Sequence, residues 1–265
     1  MIITTSDIRH ITPPTLLSSV IALGLCTAPQ MAAQVQPKPA LVDSVLTIMK
    51  GDLRPAKTVL DNKGKEVTIP ATCAFHHVLP PGKKALQWDM QGNVQIDIKN
   101  NTCEAAFEVG VPAEFANVVV PLAAATNSAG YYKVWWTEPA GATVASAQAD
   151  IQWQWEPLMC ATYLGGGYSD FWNTPTGWFL DHRGPIGSVT DLGCSSAGYT
   201  GSTFLINAFF PPCTPLAPMY LNFDPVQVAG TVDGYLDGYG SSLAQGPGLC
   251  YLLLRPHDTI VRTWN

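Results

Sequence analysis

Apolar and polar residues alternate with a period of two along much of this chain, which is the pattern of a strand with one buried face. In residues 93–99, three β-branched side chains fall on one side, and Gln95 and Asp97 fall on the other. Residues 43–50 and 103–109 alternate in the same way. No long run repeats with a period near 3.6, so the pattern predicts strands and no long amphipathic helix.

Short clusters of Gly, Pro, Asn and Asp separate the apolar runs and predict tight turns. The chain has 23 Gly and 22 Pro, which are distributed along its length and do not form one low-complexity block. Asp-Asn-Lys-Gly at residues 61–64 predicts a hairpin within residues 57–69, and Gln91-Gly92 divides two further runs. Six later runs are predicted strands: residues 131–136, 150–155, 199–210, 226–239, 249–255 and 259–264. The fold class is therefore predicted to be all-β.

Charge is distributed unequally and indicates a boundary within the chain. Residues 34–133 contain ten Lys and Arg against nine Asp and Glu, whereas residues 134–265 contain three Arg, no Lys and ten acidic residues. We therefore predict two β-sandwich-like domains stapled by disulfides, residues 34–112 and a Trp-rich acidic domain at residues 131–265. Residues 113–130, which contain Pro121, three consecutive alanines and an Asn-Ser-Ala-Gly stretch, form a linker or a connecting strand between them.

The first 33 residues have the organisation of a secretory signal peptide. Arg9 precedes an apolar run at residues 16–28, and small residues follow, which places the cleavage near Ala33. This run is shorter than the roughly 20 apolar residues that a helix needs to cross a bilayer. The sequence therefore predicts a secreted, extracellular protein without a membrane span.

Six cysteines follow the predicted signal peptide, an even number that an oxidising compartment would pair. Cys73 and Cys103 lie on inward-facing positions of two predicted strands, so we expect them to form one disulfide. The other four come later in the chain: Cys160, Cys194, Cys213 and Cys250. Three pairings of these four remain open, and proximity favours joining the first two to each other and the last two to each other.

Composition excludes several classes of function. Charged residues make up only 13% of the chain, about half the usual quarter, and the net charge is −6. A C-terminal half without lysine is unsuited to a phosphate backbone, so no nucleic-acid partner is expected. His76 and His77 are adjacent and would face opposite ways in a strand, so no metal site is predicted. No cofactor motif is present.

Tryptophan is the most conspicuous candidate for ligand contact. Trp135-Trp136-Thr-Glu-Pro is echoed by Trp153-Gln-Trp155-Glu-Pro. If rings of this sheet faced solvent beside Asp150 and neighbouring glutamines, they would stack on sugar rings. The competing interpretation is core packing, because Trp153 and Trp155 share a strand face with Ile151. The predicted ligand-binding residues are Trp135, Trp136, Trp172 and Trp178.

Catalytic signals are weak. Glu138 and Glu156 could form the carboxylate pair of a glycosidase, but glutamates beside prolines are more often solvated turn residues. The favoured function is a non-enzymatic extracellular protein that binds carbohydrate or a cell-surface protein. Two alternatives remain open, namely a secreted carboxylate-dependent hydrolase and a structural or effector protein that binds another protein.

Overall fold

The computed structural model of the chain describes residues 40–60, 66–69, 71–118, 127–155, 160–190, 194–207, 218–246 and 253–264. The predicted signal peptide lies outside these ranges, as do Glu156, Cys213 and Cys250. No helix within the described ranges is long and apolar enough to cross a membrane.

The described residues form fifteen β-strands and two short 3-10 turns, which confirms the all-β class. The strands are β1 (Leu41–Arg54), β2 (Lys57–Leu60), β3 (Glu66–Ile69), β4 (Thr72–Leu79), β5 (Ala85–Asp97), β6 (Thr102–Pro112), β7 (Asn127–Thr137), β8 (Thr143–Gln154), β9 (Thr162–Trp172), β10 (Trp178–Arg183), β11 (Gly187–Thr190), β12 (Ser196–Asn207), β13 (Met219–Thr231), β14 (Leu236–Gln245) and β15 (Arg255–Trp264). The 3-10 turns are Ala113–Phe115 and Thr174–Thr176. The predicted hairpin within residues 57–69 is confirmed as β2 paired with β3.

Thirteen strands form one antiparallel sheet in the order β10-β12-β13-β14-β4-β1-β6-β5-β15-β7-β8-β9, with β11 beside β12. The sheet folds over on itself, so that β12 packs on β9, β13 on β8 and β14 on β7. We call strands β1, β6, β5, β15, β7, β8 and β9 the first layer. Strands β4, β14, β13, β12, β11 and β10 form the second layer, and the apolar core lies between the two layers.

Strands from both predicted domains pair with each other. β4 pairs with β14, and β5 pairs with β15, so each pair joins an early strand to a late one. The described residues, from Ala40 onward, all belong to one compact unit. The predicted division into separate sandwiches at residues 113–130 is therefore not shown by the structure, in which strands of both predicted domains belong to one antiparallel sheet.

Some local strand predictions differ from the structure. Gln91-Gly92 does not separate two strands, because β5 continues through Gly92, whose φ of 80° coincides with a register shift against β6. Residues 93–99 are not half-buried, and Ile98 is 77% exposed. The predicted strand at residues 226–239 is the end of β13 and the start of β14, separated by a turn that includes Gly234.

Large aromatic rings of the first layer lie on glycines of the second layer. The ring–glycine pairs are Trp153 with Gly230, Tyr132 with Gly238 and Tyr168 with Gly201. A Cβ atom at any of these three glycines would collide with the ring above it. Protein interiors are packed to crystal-like density, so there is no spare space beneath these rings. Because glycine has no side chain, the two layers can pack closely against each other with the large rings between them.

One disulfide is confirmed and a second pairing stays a prediction. Cys73 on β4 and Cys103 on β6 are bonded, which joins the second layer to the first. Cys160 and Cys194 are free thiols. The backbone N–H of Ala161 donates to the carbonyl of Cys194 at 2.8 Å. The two segments that carry these cysteines are therefore held side by side.

The ring-on-glycine packing predicts that Gly230→Ala destabilises the fold by about 1–3 kcal/mol, because the added methyl group would have to displace the Trp153 indole. Urea unfolding followed by circular dichroism measures the loss. Gly187→Ala is the matched control, since a Cβ at this β11 position meets no atom within 4 Å. Equal stability of the two variants would contradict the packing argument.

Candidate ligand-binding face

The four predicted ligand-binding tryptophans do not lie together. Trp136 and Trp178 are buried, with 6% and 0% of their surface exposed, so their side chains are closed to a ligand. Trp135 and Trp172 are both half-buried, but they lie on opposite faces of the first layer. Trp172 points toward the second layer, where the guanidinium of Arg183 lies over its ring at 5.8 Å. Of the four, Trp135 alone belongs to a solvent-facing surface.

This surface is the face of β7, β8 and β9 that points away from the second layer, and we call it the outer face. Directly opposed residues of neighbouring strands share a face, so the register assigns its members. Trp135 is opposite Ser146, which is opposite Phe171; Lys133, Gln148 and Ser169 form the next row, and Tyr131, Asp150 and Gly167 the one after. Gln152 and Gly165 continue the face along β8 and β9.

Rings border a polar strip at one end of the outer face. Trp135 on β7 is half-buried and Phe171 on β9 is 50% exposed. The strand between them contributes Ser146, which is only 7% exposed, and the half-buried Gln148 and Asp150 to this face. Two strand spacings separate the rings, about 9.5 Å, so both can contact one ligand that lies across β8.

The polar groups of the outer face are partly desolvated. Burial raises the pKa of Asp150, against the opposing effect of the hydrogen bond that the Gln148 amide donates to it at 2.9 Å. Burial also lowers the pKa of the Lys133 amine. The pKa of the Tyr131 phenol is raised, first by burial and then by the carboxylates of Glu114 and Asp150. Hydrogen bonds made by such groups to a ligand compete less with water than exposed ones do.

Glycine opens the other end of the outer face. A shallow depression of about 240 Å³ lies there, lined by Ala129, Gly130, Asp150, Ile151, Gln152, Gly165, Gly166 and Thr263. A Cβ at Gly167 would meet no atom within 4 Å, so no side chain of the described residues covers this part of β9. A ligand can therefore approach the backbone here while it contacts Asp150 and Gln152.

A buried hydrogen-bond chain, which we call the relay, supports the Trp135 side of the outer face. Nδ1 of His257 lies 2.8 Å from Oδ1 of Asp89, and Nε2 of His257 lies 3.0 Å from Oγ1 of Thr137. The Gln87 amide also donates to Asp89 at 2.8 Å. Because the carboxylate only accepts, Nδ1 carries a proton, and in the neutral imidazole Nε2 then accepts from the Thr137 hydroxyl.

The relay has the order hydroxyl, imidazole and carboxylate that activates a nucleophile in hydrolases. Access argues against that role here, because only 9% of Thr137 and 7% of His257 are exposed. The indole of Trp135 instead stacks on the imidazole of His257, with ring centroids 5.2 Å apart and planes tilted by 19°. The relay therefore holds the ring of His257, and through it the ring of Trp135, in one orientation.

Neither predicted catalytic glutamate gains support. Glu138 forms the turn between β7 and β8, since its N–H donates to the carbonyl of Ala142 at 3.0 Å and its carbonyl accepts from Gly141 at 2.8 Å. Glu156 lies outside the described residues, so the separation of the two carboxylates stays untested. The position of Glu138 fits the turn-residue interpretation.

The adjacent histidines face opposite ways, as predicted. His77 is fully buried among core rings, whereas His76 is exposed on the second layer between Asp237 and Asp52. The hydrogen bond to Asp237 raises the pKa of His76, although burial opposes this, and the charge of Asp52 adds to the increase. Within the described part of the chain, no group of three His, Cys, Asp or Glu side chains is arranged to hold a metal ion.

Sequence reasoning missed β9 and therefore Phe171, Ser169 and the glycine-lined end of the outer face. Gly165, Gly166 and Gly167 fall in the middle of this strand, where glycine normally weakens strand formation. Three consecutive glycines leave no alternation of apolar and polar side chains for sequence reasoning to detect. Only the register against β8 reveals which residues of β9 share the face of Trp135.

The relay predicts that Asp89→Asn destabilises the protein by about 2–4 kcal/mol, because the buried imidazole would lose its charged acceptor. Urea unfolding measures this loss, and Trp fluorescence should shift as Trp135 loses its fixed stacking partner. Asp52→Asn is the matched control, since that carboxylate is 65% exposed and should change stability by less than about 0.5 kcal/mol. A small effect of Asp89→Asn would contradict the relay.

Comparison with known proteins gives this chain no family. No family model matches it, and neither a curated protein nor a solved structure does. A proposal about its function therefore depends on the outer face and the relay described above.

Proposed function

We propose that this protein is secreted and that its outer face binds a neutral carbohydrate without cleaving it. The observation that carries the proposal is the row in which Trp135 and Phe171 border Ser146, with Gln148 and Asp150 in the following rows. Ring faces supply contact area for the apolar faces of sugar rings. Amide and carboxylate groups in the rows beside the rings orient hydroxyl groups, which both donate and accept.

Charge supports a neutral ligand over an acidic one. The chain after Lys133 has no lysine and carries ten acidic residues against three arginines. Asp150 lies at the centre of the outer face, and Lys133 is the single cation among the face residues named above. An anionic polysaccharide would meet repulsion from this part of the protein, whereas a neutral glycan would accept and donate hydrogen bonds without an electrostatic penalty.

Binding is favoured over hydrolysis because of how the titratable groups are arranged. Asp150 is held by Gln148, and the hydroxyl and imidazole of the relay are almost inaccessible. Glu138 belongs to a turn. Recognition of another protein is the remaining alternative, and a protein ligand would be favoured if no oligosaccharide binds.

We expect Trp135→Ala and Phe171→Ala each to weaken carbohydrate binding by at least about tenfold, because each removes one bordering ring. An array of neutral and acidic oligosaccharides selects a ligand, and calorimetry with the best-bound one gives the affinities. Phe179→Ala is the matched control, because this β10 ring is as exposed as Phe171, 51% against 50%, but lies in the second layer.

Binding that survives both face substitutions would refute the outer face as the site. Selection of acidic glycans alone would refute the charge argument. After incubation, the oligosaccharide should be recovered intact; release of reducing ends that Glu138→Gln abolishes would instead support the hydrolase alternative.

Export is proposed from the leader at residues 1–33 and is supported by the Cys73–Cys103 disulfide, since such bonds persist mainly in oxidising compartments. We predict that the exported protein also carries a Cys160–Cys194 disulfide. Closing a loop of about 35 residues would stabilise the fold by about 3.5 kcal/mol in the chain-entropy account.

Alkylation before reduction, followed by peptide mass spectrometry, tests this pairing in exported material. A Cys160–Cys194 crosslinked peptide is expected, with both thiols alkylated only after reduction. Alkylation of Cys160 without reductant, or its recovery in a crosslink to Cys213 or Cys250, would show the pairing to be wrong.

A further inference from the structure

β1 has an open edge over most of its length. It pairs with β6 from Leu41 to Asp52, but on its other side it pairs with β4 only from Asp52 to Arg54. Among the described residues, no strand pairs with the second side of residues 41–51. The N–H and C=O groups on this side are a template for another strand.

The open edge is also apolar. Val45, Leu46 and Ile48 are 60%, 71% and 69% exposed, so both faces of β1 show large apolar side chains to solvent. Soluble proteins normally protect an edge with charge, proline or a bulge. Residues 44–49 contain neither a charged residue nor a proline, and the charges Asp43 and Lys50 lie at the two ends of the run.

We propose that this edge pairs with β1 of a second copy of the chain, antiparallel, around a two-fold axis at Thr47. A two-fold axis perpendicular to a sheet leaves each side chain on the same face of the sheet. Even-numbered residues of one copy must therefore oppose even-numbered residues of the other, and odd-numbered residues must oppose odd-numbered ones. With the axis at Thr47, Leu46 opposes Ile48 on one face and Val45 opposes Met49 on the other. The two Thr47 side chains oppose each other, a favourable cross-strand pair.

Charge complements this register at both ends. Lys50 of one copy opposes Ser44 of the other, beside Asp43, and both charged residues are exposed. An axis at Ile48 would instead place Lys50 against Leu46, and an axis at Leu46 would place Ser44 against Ile48. The Thr47 axis is therefore the one that matches apolar residues with apolar ones and places Lys50 opposite the polar Ser44, next to Asp43.

The structure limits the pairing to this short run. On one side, the register against β6 shifts between Val42 and Val45, and Asp43 has a φ of 53°, so the regular edge ends there. On the other side, β4 occupies the edge from Asp52 onward. Residues 44–51 are what remains, and Thr47 lies near the middle of that run.

Sedimentation velocity of the exported protein, over the micromolar range, tests the proposal with two double variants. The unmodified protein should sediment as a dimer. Leu46→Lys with Ile48→Lys should weaken self-association at least about 100-fold, because lysines would oppose lysines. Leu46→Lys with Ile48→Glu should remain dimeric, because position 46 of one copy would meet the opposite charge at position 48 of the other.

Both double variants remove the same apolar groups. A difference in self-association between them therefore reports the charges that face each other at positions 46 and 48, and not the loss of hydrophobic side chains. The two positions are exposed, and circular dichroism verifies that each variant keeps its strand content. A monomeric unmodified protein, or a dimer that persists with two lysines, would overturn the proposal. If the variant with Leu46→Lys and Ile48→Glu is monomeric, the register centred on Thr47 is wrong.

Discussion

The contact between large rings of one layer and glycines of the other is the constraint on which the rest of the structure depends. Trp153 on Gly230 and Tyr168 on Gly201 need a backbone without side chains directly beneath the ring. Arg262 adds to the first of these sites, since its guanidinium lies 5.6 Å from the centre of a Trp153 ring and donates to the carbonyl of Gly234 at 2.7 Å. Arg262 therefore links the Trp153 ring to the turn between β13 and β14.

This constraint decides which aromatic side chains remain available to a ligand. In a strand, neighbours point to opposite faces, so packing Trp136 into the core turns Trp135 outward. In the same way, Trp172 faces Arg183 between the layers and leaves Phe171 on the outer face. The two bordering rings of the proposed site are therefore a by-product of core packing, and the relay through His257 then fixes the orientation of one of them.

Local pattern was enough to predict the strand class, the Cys73–Cys103 bond and the opposed faces of His76 and His77, because each depends on a period of two. It could not predict that β4 pairs with β14 or β5 with β15, since those pairs join residues far apart in the chain. The charge difference between the two halves suggested two domains, yet charge lies on the surface and does not report strand pairing. Sequence could not predict the relay either, because Asp89, Thr137 and His257 meet only where β15 pairs with β5 and β7.

β8 explains how one strand serves both the core and the candidate site. Its inner positions carry Ala145, Ala147 and Ala149, whose small side chains leave room for the rings of neighbouring strands. Its outer positions between Ser146 and Asp150 are polar and contribute nothing to the contact between layers. Changes on the outer side of β8 therefore cost little packing energy, while changes on the inner side would separate the layers. The outward side chains of this strand can thus vary with less effect on the fold than the inward ones, which is the property expected of a binding surface built on a rigid sheet.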